Sequence, residues 1–121
     1  MTRKTWAKRI KIACEEVGTY KPAFDQMIDA LARILELRDD AQKKFEESGG
    51  ETIVRHTNKA GQTNTVKNPA LVVVMDCNSQ ALAYWRDLGL SPAGLKRINE
   101  AAMKEQKEKS ALVKAIEALG G

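Results

Sequence analysis

Residues 54–98 read VRHTNKAGQTNTVKNPALVVVMDCNSQALAYWRDLGLSPAGLKRI, and this stretch decides the fold. Asn58-Lys59-Ala60-Gly61 is turn chemistry between the β-prone runs Thr52-Ile53-Val54 and Thr63-Asn64-Thr65-Val66, which predicts a β-hairpin at about 52–66. Asn68-Pro69 then opens a helix. The Asn side chain caps free backbone N–H groups, and proline takes the first helical position, where its missing donor costs little. Leu71, Val74, Met75, Asn78, Leu82, Trp85 and Leu88 follow at mostly three- and four-residue steps, so Val72-Val73-Val74-Met75 belongs to a helix rather than a buried strand. Gly89 suits the left-handed residue after a helix end and lets Leu90 fold back toward Trp85. Ser91-Pro92 repeats the cap-plus-proline entry for a helix carrying Leu95, Ile98 and Ala102, so the two helices should meet in a tight corner.

Toward the N-terminus, Trp6, Ile10, Ala13 and Val17 recur at helical spacing, predicting a helix over about 3–17 that ends at Gly18. Gly18-Thr19-Tyr20-Lys21-Pro22 then leads into a long helix. Phe24, Met27, Ile28, Leu31, Ile34, Leu35, Leu37 and Phe45 form its apolar stripe, which runs nearly to Ser48-Gly49-Gly50. At about 1.5 Å per residue such a helix extends roughly 39 Å. It cannot bury its stripe against itself. Partner subunits or an intramolecular antiparallel helix are the two ways to cover it.

Downstream, Lys104 to Ser110 holds no apolar residue, and Leu112, Val113, Ile116 and Leu119 resume a short helical stripe. This reads as a core over residues 1–104 and a tail over 105–121 that leaves it, either to dock on a partner as a helix in a groove or to fray in solution. The fold class expected is mainly α, with four to five helices, a long central helix and one small hairpin.

With 121 residues, 43% apolar and 30% charged, the chain fits one soluble globular domain with a modest core. It has no apolar run of membrane-spanning length and no continuous apolar leader, so no membrane contact and an intracellular site are expected. Cys14 and Cys77 sit inside apolar helical patterns and are expected to be free, buried thiols.

The net charge of +4 is unevenly spread. Residues 1–21 hold six bases against two acids, residues 22–51 four against eight, and residues 52–67 Arg55, Lys59 and Lys67 with no acid. Two basic sets follow as candidates for phosphate contact: Lys4, Lys8, Arg9 and Lys11 in the first helix, and Arg55, His56, Lys59 and Lys67 in the hairpin. Solvated faces and a plain connection between helices are the competing readings of the same residues.

Catalytic chemistry finds no foothold. His56 is the single histidine and has no cysteine or close carboxylate pair beside it in sequence. Asp39-Asp40 and Asp76 read as helix-surface residues, no phosphate-cradling glycine loop is present, and no cofactor is expected. The chain reads as a binding protein rather than an enzyme.

Three segments carry a family resemblance: His56-Thr57-Asn58-Lys59-Ala60-Gly61, Lys67-Asn68-Pro69-Ala70-Leu71, and Tyr84-Trp85-Arg86-Asp87-Leu88-Gly89-Leu90-Ser91-Pro92. Their order and spacing resemble the phage terminase small subunits of the phage-twenty-seven-like group, with looser similarity reaching back to Gly18-Thr19-Tyr20-Lys21-Pro22 and Phe24. The resemblance implies a ring of about eight to ten subunits. Such a ring binds double-stranded viral DNA and recruits or regulates a large ATPase/nuclease subunit in the cytoplasm of the infected bacterial host. Under it, Leu112, Val113, Ile116 and Leu119 become the expected contact for the large subunit. A helical transcriptional regulator and a structural oligomer without DNA binding are the alternatives.

Overall fold

The computed structural model describes residues 1–120. Helix α1 spans Arg3–Val17, a short 3-10 turn Pro22–Phe24 leads into α2 at Asp25–Glu47, and strands β1 (Ile53–Thr57) and β2 (Thr63–Lys67) pair antiparallel. Helix α3 spans Pro69–Asp87, and α4 spans Pro92–Gly120. No described helix is long and apolar enough to cross a membrane.

The element ends are where local chemistry puts them. At the end of α1, the Gly18 N–H bonds the Glu15 carbonyl and the Thr19 N–H the Cys14 carbonyl, with Gly18 at φ 78°. The end of α3 repeats this: Gly89 N–H to Arg86 O and Leu90 N–H to Trp85 O, which turns Leu90 back onto the core beside Trp85 as expected. Asn68 Oδ1 accepts from the Ala70 N–H at 3.0 Å, and Ser91 Oγ from the Gly94 N–H at 3.1 Å.

α2 is the spine. α1 and α3 each pack along it, and Ile10, Cys14, Ile28, Leu31, Ala32, Leu35, Ala81 and Leu88 form one buried cluster. Of the stripe expected on α3, Val74 and, just past the helix end, Leu88 are buried as expected, but Cys77 and Ala81 complete the inner face in place of Met75, Asn78 and Leu82. Met75 and Leu82 are 58% and 68% exposed. Pro69 to Met75, the first two turns of α3, are apolar on every side, so spacing there does not by itself select the inner face. In α1, Ile10 is buried as its spacing implies, but Cys14 joins it and Val17 lies at the surface.

Three of the eight acids of residues 22–51, Asp29, Glu36 and Asp39, are engaged inside the fold by α1. The Arg3 backbone N–H donates to Glu36 Oε2 at 2.6 Å, so an acid of α2 serves the first turn of α1. The Arg3 guanidinium pairs with Asp29, and Trp6 Nε1 donates to Asp39 Oδ2 at 2.7 Å. Arg38 stacks 5.4 Å from the Trp6 ring centre while pairing with Asp39. Asp39 is therefore a packing partner, contrary to its reading as a plain surface residue, whereas Asp40 and Asp76 are exposed as read.

At the corner, α3 and α4 touch through backbone. A Cβ on Gly94 would lie 2.1 Å from the Arg86 carbonyl oxygen. Buried Thr19 donates its hydroxyl to Leu88 O at 2.7 Å and so locks the α1 turn against the same corner. Beyond the corner α4 continues unbroken: the charged stretch expected to be a spacer is helical, and the tail leaves the bundle as part of a helix about 43 Å long.

Two outcomes follow. Gly94→Ala should destabilise the protein by about 1–3 kcal/mol in denaturant unfolding, although the same change in an open helix stabilises by about 1 kcal/mol. Hydrogen bonding and pairing with Arg3 hold the Asp29 carboxyl below its usual 3.8, and Asp39 lies below it too: burial alone would raise it, but Trp6, Arg38 and the N-terminus outweigh burial. Depressed folded values mean stability that is full above the unfolded value and lost as pH falls through the folded ones. Unfolding titrations should therefore show α1 docking weaken below about pH 4, and less so in Asp39→Asn.

Candidate nucleic-acid interface

The hairpin stands clear of the helices. Only Val54 is half-buried among its strand residues; Ile53 is 60% exposed. Its tip is set by Asn58, whose Oδ1 accepts from the N–H groups of Ala60 and Gln62, both at 3.0 Å, while Gly61 takes φ 82°. The register pairs Arg55 with Thr65 and His56 with Asn64. Alternation then puts Arg55 and Lys67 on one face with Thr57, Thr63 and Thr65, and His56 on the other with Val54, Asn64 and Val66. Lys59 sits in the tip turn. The four hairpin candidates thus form an Arg55–Lys67 face with two outlying donors rather than one cluster.

The base of the hairpin is rigid through one residue. Asn68 is 4% exposed, and its Nδ2 donates to Glu51 O at 2.9 Å and to Ser48 Oγ at 3.3 Å. Its backbone N–H bonds Thr52 O at 2.8 Å. One side chain and its own backbone therefore tie the end of α2, both strands and the start of α3 together.

Lys4, Lys8, Arg9 and Lys11 are exposed. At about 100° per residue, Lys4, Lys8 and Lys11 share a face of α1, and Arg9 points about 100° away from Lys8. Lys8 and Lys11 line a shallow groove with Asp25 and Asp29, and the Lys11 ammonium lies 4.9 Å over the Tyr20 ring. The Tyr20 hydroxyl in turn donates to Asp25, which raises its pKa. Lys11 thus faces acidic and aromatic neighbours that compete with any external anion.

The two basic sets are not brought together. The hairpin springs from the C-terminal end of α2, and Lys8 and Lys11 lie at its N-terminal end, across a helix about 35 Å long. Lys44, within the segment that counts as acidic, lies near the hairpin base beside Pro69 and Ala70. A charge count by segment conceals it, because the acids around it are spread along the whole helix.

Among the described residues, no group of three or more His, Cys, Asp or Glu stands where it would hold a metal. Cys14 and Cys77 are free and buried as expected, and burial raises both thiol pKa values, which suppresses their nucleophilicity. Leu112, Val113, Ile116 and Leu119 all lie exposed on the free part of α4.

Replacing Asn68 tests the hinge. Asn68→Ala should cost about 2–3 kcal/mol, and amide exchange should quicken in β1 and β2 before α1 and α2. Asn68→Asp, which keeps the cap acceptor and loses the donor, should free the hairpin with a smaller loss of helix stability.

The family model described as phage terminase, small subunit, matches residues 2–105. No match was found among curated proteins or among solved structures.

Proposed function

The chain belongs to the phage terminase small-subunit family, and from that premise we propose that it is the non-catalytic, DNA-recognising part of a viral genome-packaging motor. It acts in the cytoplasm of the infected bacterial host. The observation that carries this reading is the extent of the match, which takes in α1, α2, the hairpin, α3 and the first half of α4. The resemblance of its motifs to the phage-twenty-seven-like group supports membership of that group. The Asn-Pro-Ala-Leu entry supplies the buried hinge Asn68, and the Asp-Leu-Gly-Leu-Ser-Pro corner holds the α3–α4 contact.

Assembly as a ring is supported by where apolar surface remains. A head-to-tail contact needs two different patches on each subunit. One groove of 320 Å³ runs along Leu37, Ala41, Pro69, Ala70 and Val73, and another of 530 Å³ along Ala13, Leu82, Trp85, Leu90 and Pro92. Val73 and Leu82 lie about half a turn apart on α3, so the two patches are on opposite flanks of one helix.

Repeated around a ring, a few phosphate contacts per subunit add by avidity. The Arg55–Lys67 face, with Lys59 at the tip and His56 behind, is the better candidate because it carries no acid and projects freely. Lys4, Lys8, Arg9 and Lys11 form the second candidate. The C-terminal segment, residues 105–121, docks the large subunit through Leu112, Val113, Ile116 and Leu119 on the free end of α4.

Charge reversal at Arg55 and Lys59 should weaken duplex binding and lower the salt slope by about 2, with light scattering showing an unchanged mass. The same reversal at Lys8 and Arg9 should have the smaller effect; binding unaltered by either pair in a low-salt gel shift would remove both sets. Deleting residues 105–121 should abolish stimulation of the large subunit's ATPase. A dimeric mass with preference for a palindromic site would favour the transcriptional regulator instead.

A further inference from the structure

Helix α4 leaves the bundle after Ile98, and every described residue from Asn99 onward is exposed. Along it, Leu95, Ile98, Ala102, Glu105, Lys109, Leu112, Ile116 and Leu119 follow alternating steps of three and four, the repeat of a coiled-coil seam. The seam is apolar at both ends and charged in the middle. Leu112, Ile116 and Leu119 are left 60% exposed or more, which is costly for an isolated helix.

The charges decide what covers it. In a parallel, in-register pairing, Glu105 would meet Glu105 and Lys109 would meet Lys109. Reversing one helix about a twofold at Lys107 sets Glu105 against Lys109, Ala102 against Leu112, Ile98 against Ile116 and Leu95 against Leu119, each pair twice. We infer that α4 pairs antiparallel with α4 of a second copy of this chain, with Glu105 of each helix facing Lys109 of the other.

Glu105 and Lys109 already stand 3.4 Å apart within one helix, so pairing brings their counterparts up to form a four-charge cluster at the axis. Sliding by one heptad would set a charge against leucine, so the polar middle fixes register as well as direction. Ala101 and Ala115 oppose each other on one flank and are small enough for close backbone approach. Glu108 on that flank meets its own counterpart, a repulsion that solvent screens. Leu95 and Ile98 are half-buried in the corner, so the outermost layers seat the last turn of the second copy against it.

Being twofold, the contact joins assemblies two by two, whatever their own symmetry. It covers three of the residues assigned above to the large subunit, so docking has to displace it. The pairing itself does not depend on the DNA-packaging reading.

A nitroxide on Ala118→Cys in the full chain reads the geometry directly, since Cys14 and Cys77 are buried away from label. Pulsed dipolar spectroscopy should give a backbone separation of about 33 Å. A separation of about 10 Å, as for side-by-side parallel helices, overturns the inference, as does the absence of a dipolar signal. The neutral variant E105Q/K109Q should lower the paired fraction on the order of ten-fold. Equal or tighter pairing overturns the charge-directed orientation.

Discussion

A single buried amide, that of Asn68, holds the working parts of this protein in one frame. Its carbonyl caps α3, its NH2 group grips the segment leaving α2, and its backbone N–H closes the foot of the hairpin. A buried amide is tolerated only when its donors and acceptor are satisfied, and here each partner lies on a different element. The direction in which β1 and β2 leave the bundle is therefore set by the same side chain that starts α3. An exposed two-stranded hairpin is marginal by itself; this one has a rigid foot.

The opposite end of the bundle is held by contact with backbone. Thr19 reaches the Leu88 carbonyl, Gly94 lets α4 lie against Arg86, and Ile98 packs near Gly89. Gly94 carries no side chain there because the main chains meet. The hairpin and the free part of α4 consequently emerge from opposite ends of α2.

Between these ends, the acids of α2 are matched to the N-terminal part of α1. Arg3 and Trp6 are bound by Asp29, Glu36 and Asp39, leaving Lys4, Lys8 and Arg9 outward. Positive charge is thus displayed where it has no internal partner, and three acids of the acidic segment are turned to internal use while Asp40, Glu46, Glu47 and Glu51 stay at the surface. This division is invisible in a net charge of +4.

The chain by itself determined its elements and their ends, because caps, glycines and proline entries act within a few residues. Gly18, Asn58, Asn68, Gly89 and Ser91 all do in the fold what their positions imply. The family and the exposure of the tail's apolar stripe were legible for the same reason. Val74 and Leu88 were legible on the inner stripe, but only the tertiary structure decided that Cys77 and Ala81 turn inward with them rather than Met75 and Leu82, since the choice belongs to α2. The role of Asp39, the lock of Thr19 on Leu88, the separation of the two basic sets and the continuity of α4 past Lys104 were settled there too. Each depends on residues far apart in sequence or on competition between alternative surfaces, and no local spacing encodes such contacts.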